Sequence, residues 1–103
     1  MVDIHSHILP GLDDGSKSLA DSVEMLKIAR ECGTTDIVAS PHANLEYTFE
    51  PGVITRKIEE LSAAAGPAPR IHRGCDFHLS YDNIQDAIAN PTKYTINHNN
   101  YLL

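Results

Sequence analysis

Two residue types that bind divalent metal ions, histidine and aspartate, recur at a few points of the sequence. The candidates are His5, His7, Asp13, Asp14, His42 and Asp76. Neutral imidazole and carboxylate together suit zinc, manganese or iron(II), and a carboxylate such as Asp76 can bridge two ions. Clustered divalent ions polarise a phosphoryl or carbonyl oxygen and lower the pKa of a bound water. The residues therefore predict metal-assisted hydrolysis.

The sequence pattern alternates between strands and helices, and these elements must position the candidate residues. Ser18 is placed to cap a helix and Gly33 to end it, while the unbroken apolar run at 37–39 is typical of a strand buried on both faces. The predicted order is strand 2–6, helix 18–32, strand 35–40, helix 51–65, a strand within 70–79, helix 83–89, and extended segments at 93–97 and 101–103. This order predicts an α/β fold with parallel strands and covering helices, either doubly wound or a barrel.

The candidate residues lie at the carboxyl ends of the first three predicted strands. Because the carboxyl ends of parallel strands face one rim of a sheet, we expect three histidines and at least two carboxylates to converge there. Taken alone, each motif has an ordinary explanation: one histidine of the HxH pair can be a packing residue, Asp13-Asp14-Gly15 can be a turn, and Pro41-His42 can be a strand exit. Their coincidence on one rim favours a metal site.

Three further histidines are weaker candidates. His72 lies inside the third strand and is expected to point toward a helix. His78 follows Asp76 by two residues and could share its face. His98 stands in a polar run and is expected to be a solvated loop residue.

Composition excludes several classes of protein. The 103 residues carry 8 Lys+Arg against 14 Asp+Glu, a net charge of −6, which argues against nucleic-acid binding. No apolar run approaches the ~18 residues of a membrane span, and the start lacks the features of a secretory signal, so we expect a cytoplasmic protein without membrane insertion. The two cysteines, Cys32 and Cys75, are expected to be buried free thiols.

The length is short for a barrel. A barrel of eight βα units needs roughly 200 residues or more, so this chain would supply about half of one. We therefore interpret residues 1–103 as the N-terminal part of a single domain, apparently truncated. A metal-binding or interaction fragment without catalysis is the alternative for the chain by itself.

The run from His5 to Gly15 (HSHILPGLDDG), followed after one helix by Val38-Ala39-Ser40-Pro41-His42, resembles the polymerase-and-histidinol-phosphatase (PHP) superfamily. Within it, the sequence is similar to the manganese-dependent bacterial protein-tyrosine phosphatases of capsule and exopolysaccharide loci. The resemblance runs through the whole chain. It implies the N-terminal half of a distorted, TIM-like (β/α)7 barrel, the PHP fold.

The resemblance also implies a set of metal ligands. Position by position, His5, His7, Asp14 and His42 match the ligands of the family, and Asp76 stands where the family usually has a metal-bridging Glu, a reach shorter by one methylene. The family site holds up to three ions, manganese first, with iron or zinc also compatible. Its later motifs lie beyond residue 103, so we expect the chain alone to be inactive, and no catalytic residue is assigned within it.

The function implied is hydrolysis of phosphotyrosine by a metal-bound hydroxide. The protein substrate would be a bacterial tyrosine kinase that governs capsule or exopolysaccharide synthesis, and the oligomeric state is left open. Two other enzymes share parts of the pattern: a histidinol-phosphatase-like phosphoesterase of the same superfamily, and a dihydroorotase-like amidohydrolase. The second typically needs a carboxylated lysine, and no lysine stands at a predicted strand end.

Overall fold

The computed structural model describes all 103 residues as parallel β-strands alternating with helices. The elements are β1 (Val2–Ser6), α1 (Leu19–Glu31), β2 (Asp36–Ala39), β3 (His42–Ala43), α2 (Pro51–Ala65), β4 (Arg70–Arg73), β5 (Asp76–Phe77), α3 (Tyr81–Ala89) and a 3-10 turn (Ile96–His98). The α/β class with parallel strands and covering helices is confirmed.

Two short parallel sheets run one after the other. The first has the order β1-β2-β4 and the second pairs β3 with β5. Backbone hydrogen bonds bridge the gap between them: the N–H of Gly74 donates to Ala39 O and the N–H of Asp76 donates to Pro41 O, both at 2.9 Å. The second sheet therefore continues two strands of the first toward their carboxyl ends.

The core lies between the sheet and the first two helices. Ile37 of β2 packs in one cluster with Leu26 of α1 and with Ile54 and Leu61 of α2, all almost fully buried. Burying such side chains is the main stabilising contribution in a chain of this size. None of the three helices combines the length and the apolarity needed to cross a lipid bilayer.

The helix signals in the sequence act as expected. The Ser18 hydroxyl accepts the N–H of Asp21 at the start of α1, and α2 occupies the predicted range 51–65. The third helix begins two residues earlier than predicted, because Ser80 caps it by accepting the N–H of Asn83.

The segment 70–79, predicted to contain the third strand, holds two short strands. A Cβ at Gly74 would lie 2.6 Å from Cγ1 of Val38, so only glycine lets the chain pass this close to β2. The segment therefore divides into β4 and β5 on either side of Gly74-Cys75.

The predicted extended segments at 93–97 and 101–103 are wrong as strands. Asn97 and His98 have φ values of 52° and 58°, which turn the backbone into the left-handed region and end any extended run. The chain folds back so that the N–H of Ile96 donates to Tyr101 O at 2.8 Å. The last residues thus form a loop, and no fourth strand joins the first sheet.

Cys32 was expected to be buried and is exposed, because it stands at the surface end of α1, whereas Cys75 is buried as expected.

His72 does not point toward a helix. Since side chains alternate along a strand, Ile71 takes the core side, and His72 turns to the other face.

A polar cluster occupies that other face of the sheet. The Asp36 carboxylate accepts from His72 Nε2 at 2.9 Å and pairs with Arg70 Nε at 2.8 Å, and Thr35 Oγ1 donates to it at 2.9 Å. The hydrogen bond from His72, followed by those from Arg70 and Thr35, holds the pKa of the Asp36 carboxyl well below its usual range. Asp36 therefore links β2 to β4 as an ionised side chain.

A pair of serines joins β1 to β2 where the pairing register shifts. The Ser40 hydroxyl accepts the N–H of Ser6 at 3.0 Å and donates to Ser6 O at 3.1 Å. In return, the Ser6 hydroxyl donates to Val38 O at 2.7 Å. Ser40 is fully buried, and these bonds satisfy its hydroxyl while they hold the half-buried Ser6 against β2.

Ser40→Ala should lower the free energy of unfolding by roughly 1–3 kcal/mol, because it leaves the part-buried N–H of Ser6 without its partner, whereas Ser6 O keeps the backbone N–H of residue 40. Urea unfolding of the protein as its gene encodes it measures the effect. Ser62→Ala is the matched control, since the Ser62 hydroxyl of α2 makes no hydrogen bond. An equal midpoint for the two variants would contradict the role given to Ser40.

Candidate metal centre

The centre begins where β1 ends and the chain turns back on itself. The N–H of Ser16 donates to His7 O, and the N–H of Gly11 donates to Ser16 O, both at 3.0 Å. A Cβ at Gly15 would lie 2.3 Å from His7 O and 2.4 Å from His7 Cβ. The turn containing the two aspartates is therefore pressed directly against His7.

The buried Asp13 carboxylate holds His7 and His42 in position through hydrogen bonds. Its side chain is 1% exposed and accepts the backbone N–H groups of Gly15 at 2.9 Å and of His42 at 3.2 Å. It also accepts from His7 Nδ1 at 2.9 Å. Because Nδ1 of His7 donates to a carboxylate, Nε2 of the same ring keeps its lone pair free to face the centre.

The Asp76 carboxylate lies among the three candidate histidines, His5, His7 and His42. Its Oδ2 atom is 2.9 Å from His42 Nδ1, 3.5 Å from His5 Nε2 and 3.8 Å from His7 Nε2. Asp76 is the first residue of β5 and pairs with His42 of β3 in the sheet register. The aspartate thus reaches all three imidazoles even though its side chain is one methylene shorter than glutamate.

Asp14 lies on the exposed side of the site. Its Oδ1 atom lies 3.1 Å from His42 Nε2, and its side chain is 65% exposed. His42 consequently has a carboxylate oxygen beside each ring nitrogen. The residues fall into two groups that share His7, and within each group the potential ligand atoms lie within 4.8 Å of one another.

The chemistry of this set fits divalent metal ions. The donors are imidazole nitrogens and carboxylate oxygens, the types that manganese, iron and zinc accept. No lysine or arginine forms an ion pair with Asp14 or Asp76, although Asp36 and Asp86 both have such partners. A bound cation would supply the positive charge that these two carboxylates lack.

Aromatic rings form a row through the centre. The His7 and His42 rings stack with centroids 4.4 Å apart, and Tyr47 stacks on the far side of this pair, 5.8 Å from His42. Burial, together with the nearby charges of Glu46 and Asp14, raises the pKa of the Tyr47 hydroxyl. Tyr47 therefore presents a neutral phenol beside the centre.

The remaining sequence candidates lie outside both groups. His78 is exposed and joins neither of them, and His98 sits in the 3-10 turn with its Nδ1 atom 3.1 Å from Thr92 O. Cys75 immediately precedes Asp76 but is fully buried, and this burial raises the pKa of its thiol to about 12.

Sequence reasoning missed two supports of the site. Asp13 was grouped with Asp14 without a role of its own, although its position between a proline-glycine turn and Gly15 signals a buried turn carboxylate. Ser22 of α1 was not singled out. Its fully buried hydroxyl donates to Ile8 O and lies 2.6 Å from Ser16 Oγ, which ties the helix to the turn after His7. A serine on the apolar face of a helix was the available signal.

Comparisons with known proteins agree on one family. A family model described as "Capsular polysaccharide synthesis, CpsB/CapC" matches residues 1–103. CapC of Staphylococcus aureus, named as a candidate tyrosine-protein phosphatase, is 36% identical over 107 residues, which cover 100% of this chain and 42% of CapC. The tyrosine-protein phosphatase YwqE of Bacillus subtilis is 43% identical over 63 residues, which cover 60% of this chain and 25% of YwqE.

A solved structure shares the fold along the full length. It comes from crystal structures of YwqE from Bacillus subtilis and CpsB from Streptococcus pneumoniae, described as unique metal-dependent tyrosine phosphatases. The TM-score is 0.85 at 29% identity, and the match covers 100% of this chain and 43% of the other. The chain therefore spans less than half the length of the proteins that it matches.

Proposed function

Because the chain belongs to the CpsB/CapC family of capsular polysaccharide synthesis, we propose that it forms part of a metal-dependent protein-tyrosine phosphatase. The observation that carries the proposal is the contact of the Asp76 carboxylate with three histidines at the carboxyl end of the sheet. The names of CapC and YwqE support phosphotyrosine as the group removed.

The ligands in this proposal are five side chains of the chain, namely His5, His7, Asp14, His42 and Asp76. Divalent ions held there, with manganese as the first choice and iron or zinc also suited, would lower the pKa of a water and neutralise charge on the phosphoryl oxygens. Asp13 would keep Nε2 of His7 aimed at the ions by holding its Nδ1 proton. His5 and Asp14 are the exposed members, so substrate would approach from their side.

We further propose that residues 1–103 are the N-terminal part of one PHP domain, built as a distorted (β/α)7 barrel. The order β1-β2-β4, with helices covering one face, supports a barrel wall that further strands would extend. The rest of the metal ligands and the basic residues for phosphate then belong to the portion of the relatives' length that this chain does not span.

The physiological substrate in this proposal is the phosphotyrosine of a bacterial tyrosine kinase that regulates capsule or exopolysaccharide synthesis, in the cytoplasm. The family description, which concerns capsular polysaccharide synthesis, supports this choice. The net charge of −6 gives the chain no electrostatic attraction for phosphate by itself, so substrate binding would depend on the held ions.

The test is a hydrolysis assay on the protein as its gene encodes it. We expect Mn²⁺-dependent release of phosphate from a phosphotyrosine peptide, loss of that activity after EDTA treatment and dialysis, and recovery when Mn²⁺ is added. Histidinol phosphate and dihydroorotate, assayed on the same sample, represent the two alternative enzymes. Full activity after EDTA and dialysis, or a faster reaction with either alternative substrate, would refute the proposal.

A further inference from the structure

Tyr47 stands beside the metal centre without being one of its candidate ligands. Its ring is stacked on the His42 ring with centroids 5.8 Å apart and an interplanar angle of 17°, within the usual range for offset aromatic pairs. Tyr47 is thus the outermost ring of the row that passes through His42 and His7.

The loop that carries Tyr47 is fixed by its own hydrogen bonds. The Asn44 side-chain oxygen accepts the N–H groups of Glu46 at 2.9 Å and of Tyr47 at 2.8 Å, and the N–H of Asn44 donates to Tyr47 O at 3.1 Å. Leu45, at the tip of the same loop, is 98% exposed and contributes nothing to this closure. The Tyr47 ring is therefore positioned in advance, which reduces the entropy cost of using it to bind a ligand.

A cavity of about 210 Å³ opens next to Tyr47. Three aromatic residues, Tyr47, Phe49 and Tyr94, line it together with four polar ones, and none of the candidate metal ligands borders it. The polar residues are Asn44, Thr48, Asn83 and Lys93. Tyr47 is the residue that both borders this cavity and stacks on a candidate ligand.

We infer that Tyr47 selects aryl phosphates: its ring contacts the aromatic ring of a substrate whose phosphate lies at the metal centre. The inference rests on the proposed function for the phosphate. It adds the residue that distinguishes a phenyl ester from an alkyl ester. Because a single oxygen joins phosphorus to the ring in an aryl phosphate, the ring must rest against a wall immediately beside the centre, which is the position of Tyr47.

The test compares two phosphonates that cannot be hydrolysed, phenylphosphonate and methylphosphonate, by calorimetry on the Mn²⁺-loaded protein as its gene encodes it. The wild-type protein should bind phenylphosphonate more tightly. Tyr47→Leu should reduce that preference by about three- to tenfold, the range expected for one aromatic pair, without changing the affinity for methylphosphonate. Tyr47→Phe should keep the preference, and so should Leu45→Ala, the control variant in the same loop.

Several outcomes would overturn the inference. These are an unchanged preference in Tyr47→Leu, an equal loss of both phosphonates in that variant, or no preference in the wild-type protein. The same samples are then assayed for hydrolysis of phosphotyrosine peptide and phosphoserine peptide. A Tyr47-dependent preference without any hydrolysis would refute the proposed function and leave the role of Tyr47 intact.

Discussion

Asp76→Asn should remove most of the metal affinity of the protein. The substitution keeps the size of the side chain but takes the negative charge from the oxygen that lies within 3.8 Å of all three histidines. Since loss of a residue that only supports a ligand already costs 10–100-fold in affinity, loss of this carboxylate should cost roughly 100-fold or more. Manganese retained after dialysis, measured by mass spectrometry, reports the change, and phosphotyrosine hydrolysis should fall with it.

Two further variants separate this effect from loss of the fold. Glu24→Gln removes one negative charge from an exposed position of α1 and should leave manganese binding unchanged. Asp76→Glu keeps the carboxylate, so it should retain bound manganese. If Asp76→Asn keeps the manganese content of the wild-type protein, Asp76 is not a ligand.

Gly15→Ala should destabilise the protein by about 3 kcal/mol, at the upper end of the usual range for overpacking. The added Cβ would meet backbone and Cβ atoms of His7 at 2.3 and 2.4 Å, and neither can move without shifting the end of β1. Manganese binding should weaken as well, because His7 belongs to both groups of candidate ligands. Urea unfolding and manganese content together measure the result.

Gly52→Ala provides the comparison for this glycine. Gly52 lies in the first turn of α2, and no heavy atom lies within 4 Å of an added Cβ. Alanine favours a helix by up to about 1 kcal/mol over glycine, so this variant should be as stable as the wild-type protein or slightly more stable. Equal unfolding midpoints for the two variants would show that the close approach at Gly15 is not limiting.

The positions of α1 and α2 could be predicted because residues at or near their ends determine where these helices begin and end. Ser18 and Gly33 frame α1, and Pro51 begins α2, because capping and proline geometry act within a few residues. The strand prediction at 93–97 failed because Tyr94 and Ile96 alternate with polar residues as in a strand, whereas the backbone enters the left-handed region at Asn97 and His98. The turn there depends on contacts with the rest of the fold.

The candidate site was predictable because of its topology. Parallel strands bring their carboxyl ends together, so His5, His42 and Asp76 were expected to meet although they are far apart in sequence. The supporting hydrogen bonds were not predictable in the same way. Whether Asp13 or Asp14 turns inward depends on the path of the turn over His7, which the two identical side chains do not reveal.

The two thiols of this chain differ in solvent exposure. Cys32 is exposed at the end of α1, whereas Cys75 is sealed in the core one residue before Asp76. Peroxide or an alkylating reagent therefore reaches the first sulfur and not the second, and sulfenic acid formation is confined to the surface. Oxidative conditions inactivate enzymes with an accessible thiolate. They should not damage the candidate centre of this protein in that way, because none of its candidate ligands contains sulfur.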